Sequence, residues 1–378
     1  MNATWHLAAV AAASMLATLL GVPLARRLAL RVGLVDDPGS ASYKSHRKVT
    51  PYGGGLAMYA ACLLPGAGAL IAVVYETSGL LRDGSGWISP WAPYWVTPFG
   101  NFPTTVVEVS QVAALFACAS VVWVVGMVDD FRGLSPLFRL AAQLGVAILL
   151  AGWIPGFRLP IAGAEPLVSA ALSAFWIASI TNAFNMLDNM EGLAAGVAAI
   201  ALSGLVSLSL ACGHVPAALL GLLVIGAACG FLVFNFPRAT VFMGDSGALF
   251  LGFVAGGLSV LVTGRLAETP AFDGTAVLLS LLVLAVPAYD LASVVAIRLS
   301  RRIPPWHGDQ NHTSHRLVRL GLSRRDSVLV LYGATAAAVW GTLLLTRASI
   351  PTAVAIAAAV ALLVAAIDFA AFRRGGNK

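Results

Sequence analysis

Charge is scarce in this chain of 378 residues, where Asp, Glu, Lys and Arg together make up 11%. Soluble domains carry about 25%, so a soluble globular fold is excluded. Cysteine is almost as scarce: Cys62, Cys118, Cys212 and Cys229 stand singly inside apolar runs. That spacing excludes a zinc-finger pattern or a disulfide framework, and the four read as small packing residues. No basic stretch precedes the first apolar run, whereas Arg26, Arg27 and Arg31 follow it. The run is therefore expected to be a retained helix and not a secretory signal. Low-complexity segments and a separate polar domain are also lacking. The net charge of +6 is carried by short loops beside apolar runs, which suits lipid headgroups and an anionic substrate and argues against nucleic acid.

What the chain has in abundance is apolar sequence, at 59% of residues. Runs long enough to cross about 30 Å of hydrocarbon recur throughout. Eleven are expected, at about 5–22, 53–74, 107–127, 137–154, 168–185, 193–211, 216–234, 246–263, 275–297, 327–345 and 351–371. The fold class is accordingly all-α: a polytopic helical membrane protein forming a single integral domain over residues 1–378. With alternate loops assigned to alternate sides, 19 of the 23 Lys and Arg share one side, and only Arg82, Arg158, Arg265 and Arg347 lie on the other. The positive-inside rule makes the richer side cytoplasmic, with the N-terminus outside and the C-terminus inside.

Four polar clusters fall on that same side, each where an apolar run meets a short loop. An ionised carboxylate at the bilayer centre costs about 2.5–3.5 kcal/mol on insertion scales, so several retained at one face suggest a built site. The first is GMVDDFRGLSP, with adjacent Asp129 and Asp130. Neighbouring carboxylates repel unless a cation or basic group is near, so the pair suits a metal or a tuned acid and base; a solvated helix end is the plain alternative. In the second, NAFNMLDNMEG, residues Asn182, Asn185 and Asp188 are spaced by three and share one side of a helix. Oxygen donors in that arrangement suit a hard cation, and hydrogen bonding between helices accounts for them equally well.

The third cluster places Asp245 in GDSG just before an apolar run. A glycine-flanked helix start offers exposed amides to an anion, with simple N-capping by Asp245 as the alternative. The fourth, HGDQNHTSHRL, sets His307, Asp309, His312 and His315 among several arginines, including Arg316. Imidazole and guanidinium together suit pyrophosphate. The first inner loop adds Lys44, His46 and the run Gly53, Gly54 and Gly55. Such a site answers one chemical problem, the meeting of two phosphorylated molecules. At 5 Å and an effective dielectric near 20, each unit-charge pair repels by about 3 kcal/mol. Carboxylate-held metal and basic loops would offset this, which points to phosphoryl transfer between a soluble nucleotide donor and a lipid acceptor.

The ordered motifs, from GLVDDPGSASYKSHRKVTPYGGG to DQNHTSHRLVRLGLS, resemble the polyprenyl-phosphate N-acetylhexosamine-1-phosphate transferases of glycosyltransferase family 4. The resemblance implies transfer of a sugar-1-phosphate from a UDP-sugar to polyprenyl (undecaprenyl) phosphate, with release of UMP, to start a lipid-linked surface glycan. It also implies Mg²⁺, with Mn²⁺ as the alternative, a homodimer, and residence in the plasma membrane with the site at the cytoplasmic face. By matching motifs, Asp129, Asp130 and Asp188 are the catalytic carboxylates, Asp129 being the group that deprotonates the lipid phosphate or joins in nucleophilic attack. Asn185 and Asp245 match metal-associated positions. Lys44, His46, Asn182, His312, His315 and Arg316 are assigned to substrate. Direct displacement and a covalent aspartyl intermediate both fit this set.

The chain departs from the family pattern at four positions. Asn189 stands where Gly is usual and Glu191 where Asp is usual; Ser314 replaces the first of two adjacent histidines, and Tyr43 replaces an Arg. The string HTSHRLVRLGLS resembles the branch that uses UDP-N-acetylglucosamine (UDP-GlcNAc). The branch that transfers phospho-MurNAc-pentapeptide for peptidoglycan carries a triple histidine, absent here, and is the alternative. A polytopic transporter using carboxylates such as Asp290 and Asp368 is the rival from another class, since intramembrane carboxylates also mark ion pathways.

Overall fold

The computed structural model describes residues 3–36, 49–63, 66, 106–161, 163–272 and 274–346. These form α1 (Ala3–Val32), β1 (Val35–Asp36), β2 (Thr50–Pro51), α2 (Gly54–Leu63), α3 (Val106–Arg132), α4 (Pro136–Trp153) and α5 (Pro166–Leu187). Then follow α6 (Leu193–Ala211), α7 (Val215–Asn235), α8 (Gly244–Ala267), α9 (Ala276–Val283), α10 (Ala285–Ser300), α11 (Thr313–Arg319) and α12 (Arg324–Leu345). Among the described residues eight helices are long and apolar enough to cross a membrane, or nine if α9 and α10 form one span. The expected run at 351–371 and the latter part of that at 53–74 lie outside the described residues.

One expected span differs in shape. The run at 275–297 is two helices bent by 74° at Leu284, where the backbone leaves the helical region with φ −102 and ψ 17. Pro287 stands three residues beyond the break. Without an N–H it cannot donate to a carbonyl of the preceding turn, so a continuous helix is interrupted there. Average hydropathy passes smoothly over such a break.

The helix α8 is the axle of the bundle, packed by α3, α5, α6 and α7 and buried along most of its length. Small residues make that closeness feasible, as at membrane helix interfaces generally. A Cβ on Gly252 would stand 2.7 Å from Thr181 Cα, and one on Gly256 would stand 3.1 Å from Ile177 Cα. Helices at the periphery are the reverse, with Leu20, Leu24, Val121, Phe175 and Trp340 exposed. Apolar outside and close-packed inside is what a lipid-facing bundle requires.

At one end, β1 and β2 pair antiparallel, and Tyr52 bridges Phe242. The Gly54 and Gly55 amides donate to Phe242 O at 3.0 Å and Met243 O at 2.9 Å. A Cβ on Gly55 would strike the backbone of Gly247. The glycine run therefore clamps the start of α2 onto the start of α8, the end at which the acidic clusters lie.

Candidate active site

The two adjacent aspartates at the end of α3 face different neighbours. Asp129 is 7% exposed. Its Oδ1 accepts from the Leu134 amide at 2.5 Å, and its Oδ2 accepts from Arg139 Nη1 at 2.5 Å. Asp130 instead reaches the start of α8, where its Oδ1 accepts from the Asp245 amide at 2.7 Å and its Oδ2 from the Ser246 amide at 3.2 Å. Those first-turn amides carry the positive end of the helix dipole, so a carboxylate there is stabilising. The cap of α8 thus comes from another helix. It is not Asp245, and it occupies the amides that the GDSG motif alone would offer to an anion.

Local sequence explains the approach. Gly244 has φ +76, and a Cβ there would lie 2.6 Å from Asp130 Oδ2; one on Gly126 would lie 2.6 Å from Ser246 Cα. Only glycine accepts both the positive φ and the closeness at position 244. Ser135 caps the next helix by accepting from the Phe138 amide, with Pro136 in the first turn. The short turn returns Arg139 towards the acids, where its Nη1 also donates to Asp245 Oδ2 at 2.9 Å. A single guanidinium is thereby shared between Asp129 and Asp245.

On α5, Asn185 Nδ2 donates to Asp245 Oδ1 at 2.5 Å. Asn182 donates to Gln143 Oε1 on α4 at 2.5 Å and to Ala178 O at 2.8 Å, which is interhelical fastening of the kind weighed for this cluster. Asp188 ends α5, with φ −75 and ψ 44. Burial, and then the negative charges of Asp130 and Glu191, push its carboxyl up to about 7.

The histidine segment is held by two acids. Asp290, 1% exposed on α10, accepts from His312 Nδ1 at 2.8 Å and from the Thr313 amide at 2.7 Å. That bond fixes the His312 tautomer, leaving Nε2 as the free ring nitrogen. Asp309 takes a two-point fork from Arg298 at 3.1 Å on each oxygen. Burial would raise the Asp309 carboxyl, but Arg298 and Asn311 outweigh it and hold it at about 2. His315 is pushed down to about 4 by burial and then by its neighbours His312, Arg324 and Arg319. Arg316 is 5% exposed and donates to Ser293 Oγ at 2.6 Å and Thr313 Oγ1 at 2.9 Å.

A cavity of about 1120 Å³ joins these parts. Asp130, Asn182, Asn185, Asp188, Asp245, His312 and His315 all line it, although 185 positions separate the first from the last. Asp129 and Arg316 are not on its wall; Asp129 connects to it through Arg139, and Arg316 braces α11 from behind. Lys44 and His46 lie outside the described residues, as does Asp368. Asp290, a candidate for an ion pathway in the transporter reading, is committed to His312. Arg139, Tyr52 and Asp36 also line the cavity, and none of them belongs to the four polar clusters. A basic residue in the second turn of the helix after an acid pair was the available signal for Arg139.

Part of the wall is apolar, built by Leu140 and Leu144 of α4, Phe175 of α5, and Leu291 and Val295 of α10. The arrangement can hold a polyanion through its guanidinium and imidazole groups, with the carboxylates available to a cation, and can receive a hydrocarbon chain on its apolar side chains. Among the described residues no three His, Cys, Asp or Glu side chains form a ready cage for a metal ion. A cation of the Mg²⁺ type needs no such cage, since one or two carboxylates with substrate phosphates and water suffice.

Comparison with known proteins follows the same outline. The family model described as glycosyl transferase family 4 matches residues 112–263, a stretch that runs from α3 through Asp245. A probable undecaprenyl-phosphate N-acetylglucosaminyl 1-phosphate transferase of Bacillus subtilis is 31% identical over 84% of this chain and 79% of its own length. A decaprenyl-phosphate N-acetylglucosaminephosphotransferase of Mycolicibacterium smegmatis is 28% identical over 86% and 79%. A phospho-N-acetylmuramoyl-pentapeptide-transferase of a Synechococcus strain is 32% identical, but over 48% of this chain and 52% of its own. A multi-pass helical bundle, its gathered acids and a relative matched across four fifths of both chains lead to one conclusion: this chain belongs to glycosyl transferase family 4.

Proposed function

We propose that this protein transfers GlcNAc-1-phosphate from UDP-GlcNAc to polyprenyl phosphate, releasing UMP and starting a lipid-linked surface glycan. The observation that carries the reading is the shared cavity in which Asp130, Asn185, Asp188, Asp245, His312 and His315 meet, with apolar side chains also in its wall. A phosphate oxygen of the lipid attacks the sugar-bearing phosphorus of the donor, and the bond from that phosphorus to the UMP oxygen breaks. The apolar side chains of α4, α5 and α10 receive the isoprenoid, which places its phosphate beside Arg139. The His312 Nε2 and His315 face the donor pyrophosphate, and Asp188 lies at the nucleotide end.

Asp129 is the base assigned to the lipid phosphate, and its present partners suggest how it is controlled. Its carboxylate is clamped by Arg139, whose guanidinium also lines the cavity where a phosphate would arrive. A phosphate that draws Arg139 towards itself frees Asp129 when a base is needed. Asp245 with Asn185 beside it would hold Mg²⁺ or Mn²⁺; oxygen donors without cysteine suit either, and the ion when bound neutralises charge on the phosphates. The positive-inside count supports a site facing the cytoplasm; a single catalytic domain in the plasma membrane, working as a homodimer among membrane lipids and without nucleic acid, is what the family resemblance implies.

UDP-GlcNAc is favoured as donor because the relatives named for N-acetylglucosamine align across about four fifths of both chains. The relative named for the pentapeptide aligns across about half. The deciding experiment incubates purified protein with Mg²⁺, polyprenyl phosphate and either UDP-GlcNAc or UDP-MurNAc-pentapeptide, and follows UMP. Release with UDP-GlcNAc alone is expected. Release only with the pentapeptide donor would move the protein to the other branch, and release with neither would end the transferase reading.

A further inference from the structure

Three positions at which the chain departs from the family pattern, Asn189, Glu191 and Ser314, meet the same boundary from opposite sides. Asn189 follows Asp188 in the turn between α5 and α6. Its Nδ2 donates to Met186 O at 2.8 Å and its Oδ1 accepts from Ser314 Oγ at 2.6 Å, so the amide is oriented at both ends. Ser314 lies in the first turn of α11 and is 0% exposed. Two residues beyond Asn189, Glu191 Oε2 is 3.2 Å from Arg324 Nη2 at the start of α12. Next, the Gly192 carbonyl accepts from the Tyr332 hydroxyl at 2.6 Å. The Asp188 turn is thus fastened to the histidine side of the cavity at three points, and Asn189 and Glu191 line the cavity beside His312 and His315.

We propose that Asn189 and Ser314 are a matched pair of positioning residues that fix the spacing between Asp188 and the two histidines, and with it the grip on the nucleotide-sugar donor. The inference rests on the transferase reading given above. The pair exchanges bulk in opposite directions relative to the family pattern, which places Gly at the first position and His at the second. An imidazole at 314 would enter a fully enclosed site against the Asn189 amide, whereas Gly at 189 would remove that amide and open the space. Volume-conserving exchanges are the ones packed interiors tolerate. Side chains in contact are also the ones whose mutational effects fail to add. Neither residue touches reacting atoms, and both act through the groups they hold.

The test is a cycle of four proteins: wild type, Ser314→His, Asn189→Gly and the double variant. Each is assayed for UMP release at varied UDP-GlcNAc and at varied polyprenyl phosphate. Each single exchange is expected to raise KM for UDP-GlcNAc about tenfold and to leave KM for polyprenyl phosphate within about twofold. The double variant is expected to return to within about threefold of wild type. Ser314→Ala, which cannot clash, should raise the donor KM about threefold without lowering the yield of folded protein. A brace that is only structural would lower thermal midpoints and leave the donor KM untouched, which would overturn the proposal. Penalties that multiply in the double variant would overturn it too. A wild type that releases no UMP from either donor removes the transferase reading itself, whereas a wild type that turns over while the penalties multiply removes the matched pair alone.

Discussion

The two ends of the bundle hold similar polar residues and use them differently. At the end remote from the cavity, Arg265 lies between Glu108 at 3.2 Å and Glu268 at 3.0 Å. His214 accepts from the Ala217 amide at 3.2 Å through Nδ1, so its Nε2 carries the proton to Gln111 Oε1, also at 3.2 Å. Gln111 in turn donates to Pro155 O at 2.8 Å. Each group there has a local partner, and none of them lines the cavity. At the cavity end, one guanidinium is shared by two carboxylates while Asp188 and Asp130 add further acidic groups. Buried polarity by itself marks stability as readily as function; an excess of one sign around a cavity marks the site.

The sharpest way to break that contrast is Asp245→Ala. It should lower UMP release by about 10³-fold, the loss typical of removing one key electrostatic group, with the protein still monodisperse by gel filtration. Arg139→Gln comes next, with a loss of about 10²-fold, because two carboxylates then repel with no cation between them. Arg139→Lys should recover part of it, since a point charge replaces a fork. Asp290→Asn should cost about tenfold in kcat, because an amide has one acceptor oxygen where the carboxylate holds both His312 and the Thr313 amide. At the opposite end, His214→Ala should leave transfer within about twofold while lowering thermal stability by about 1–3 kcal/mol, the cost of leaving the Gln111 and Ala217 partners unsatisfied.

The smallest effect concerns acid. His315 is held down to about 4 in the folded protein, below its ordinary 6.5. Between those values the unfolded segment binds more protons than the folded one, so folding of the histidine segment weakens as pH falls from 6.5 through 4. Asp309, held at about 2, adds to this loss only below its own ordinary value of 3.8, because its contribution is complete above that pH. Limited proteolysis of residues 303–323 across pH 7 to 4 should show the opening, and His315→Gln should flatten it.

Much of this was legible in the chain. Nine of the eleven expected apolar runs coincide with described spans, counting the bent pair as one, because length and hydropathy are local quantities. The clusters around Asp130, Asn185, Asp188, Asp245 and His312 were likewise visible as polar residues retained where they are costly. What was not legible depends on partners far along the chain. Nothing in GMVDDF tells which aspartate will cap α8, since the answer comes from amides 115 positions away. Arg139 was counted only as one more positive charge, and its value comes from lying between two acids. The break at Leu284 follows from one missing N–H that no hydropathy window registers.

The glycine-lined axle carries a last consequence, for how the protein can change over time. Positions 244, 247, 252 and 256 have neighbouring atoms where a methyl group would go, so a saturation map of tolerated residues should show a blank stripe along α8. Variation in substrate preference, or escape from a cavity-filling inhibitor, would then have to arise at the rim, in the turn after Asp188 and around the histidines, while the helix that carries Asp245 stays fixed.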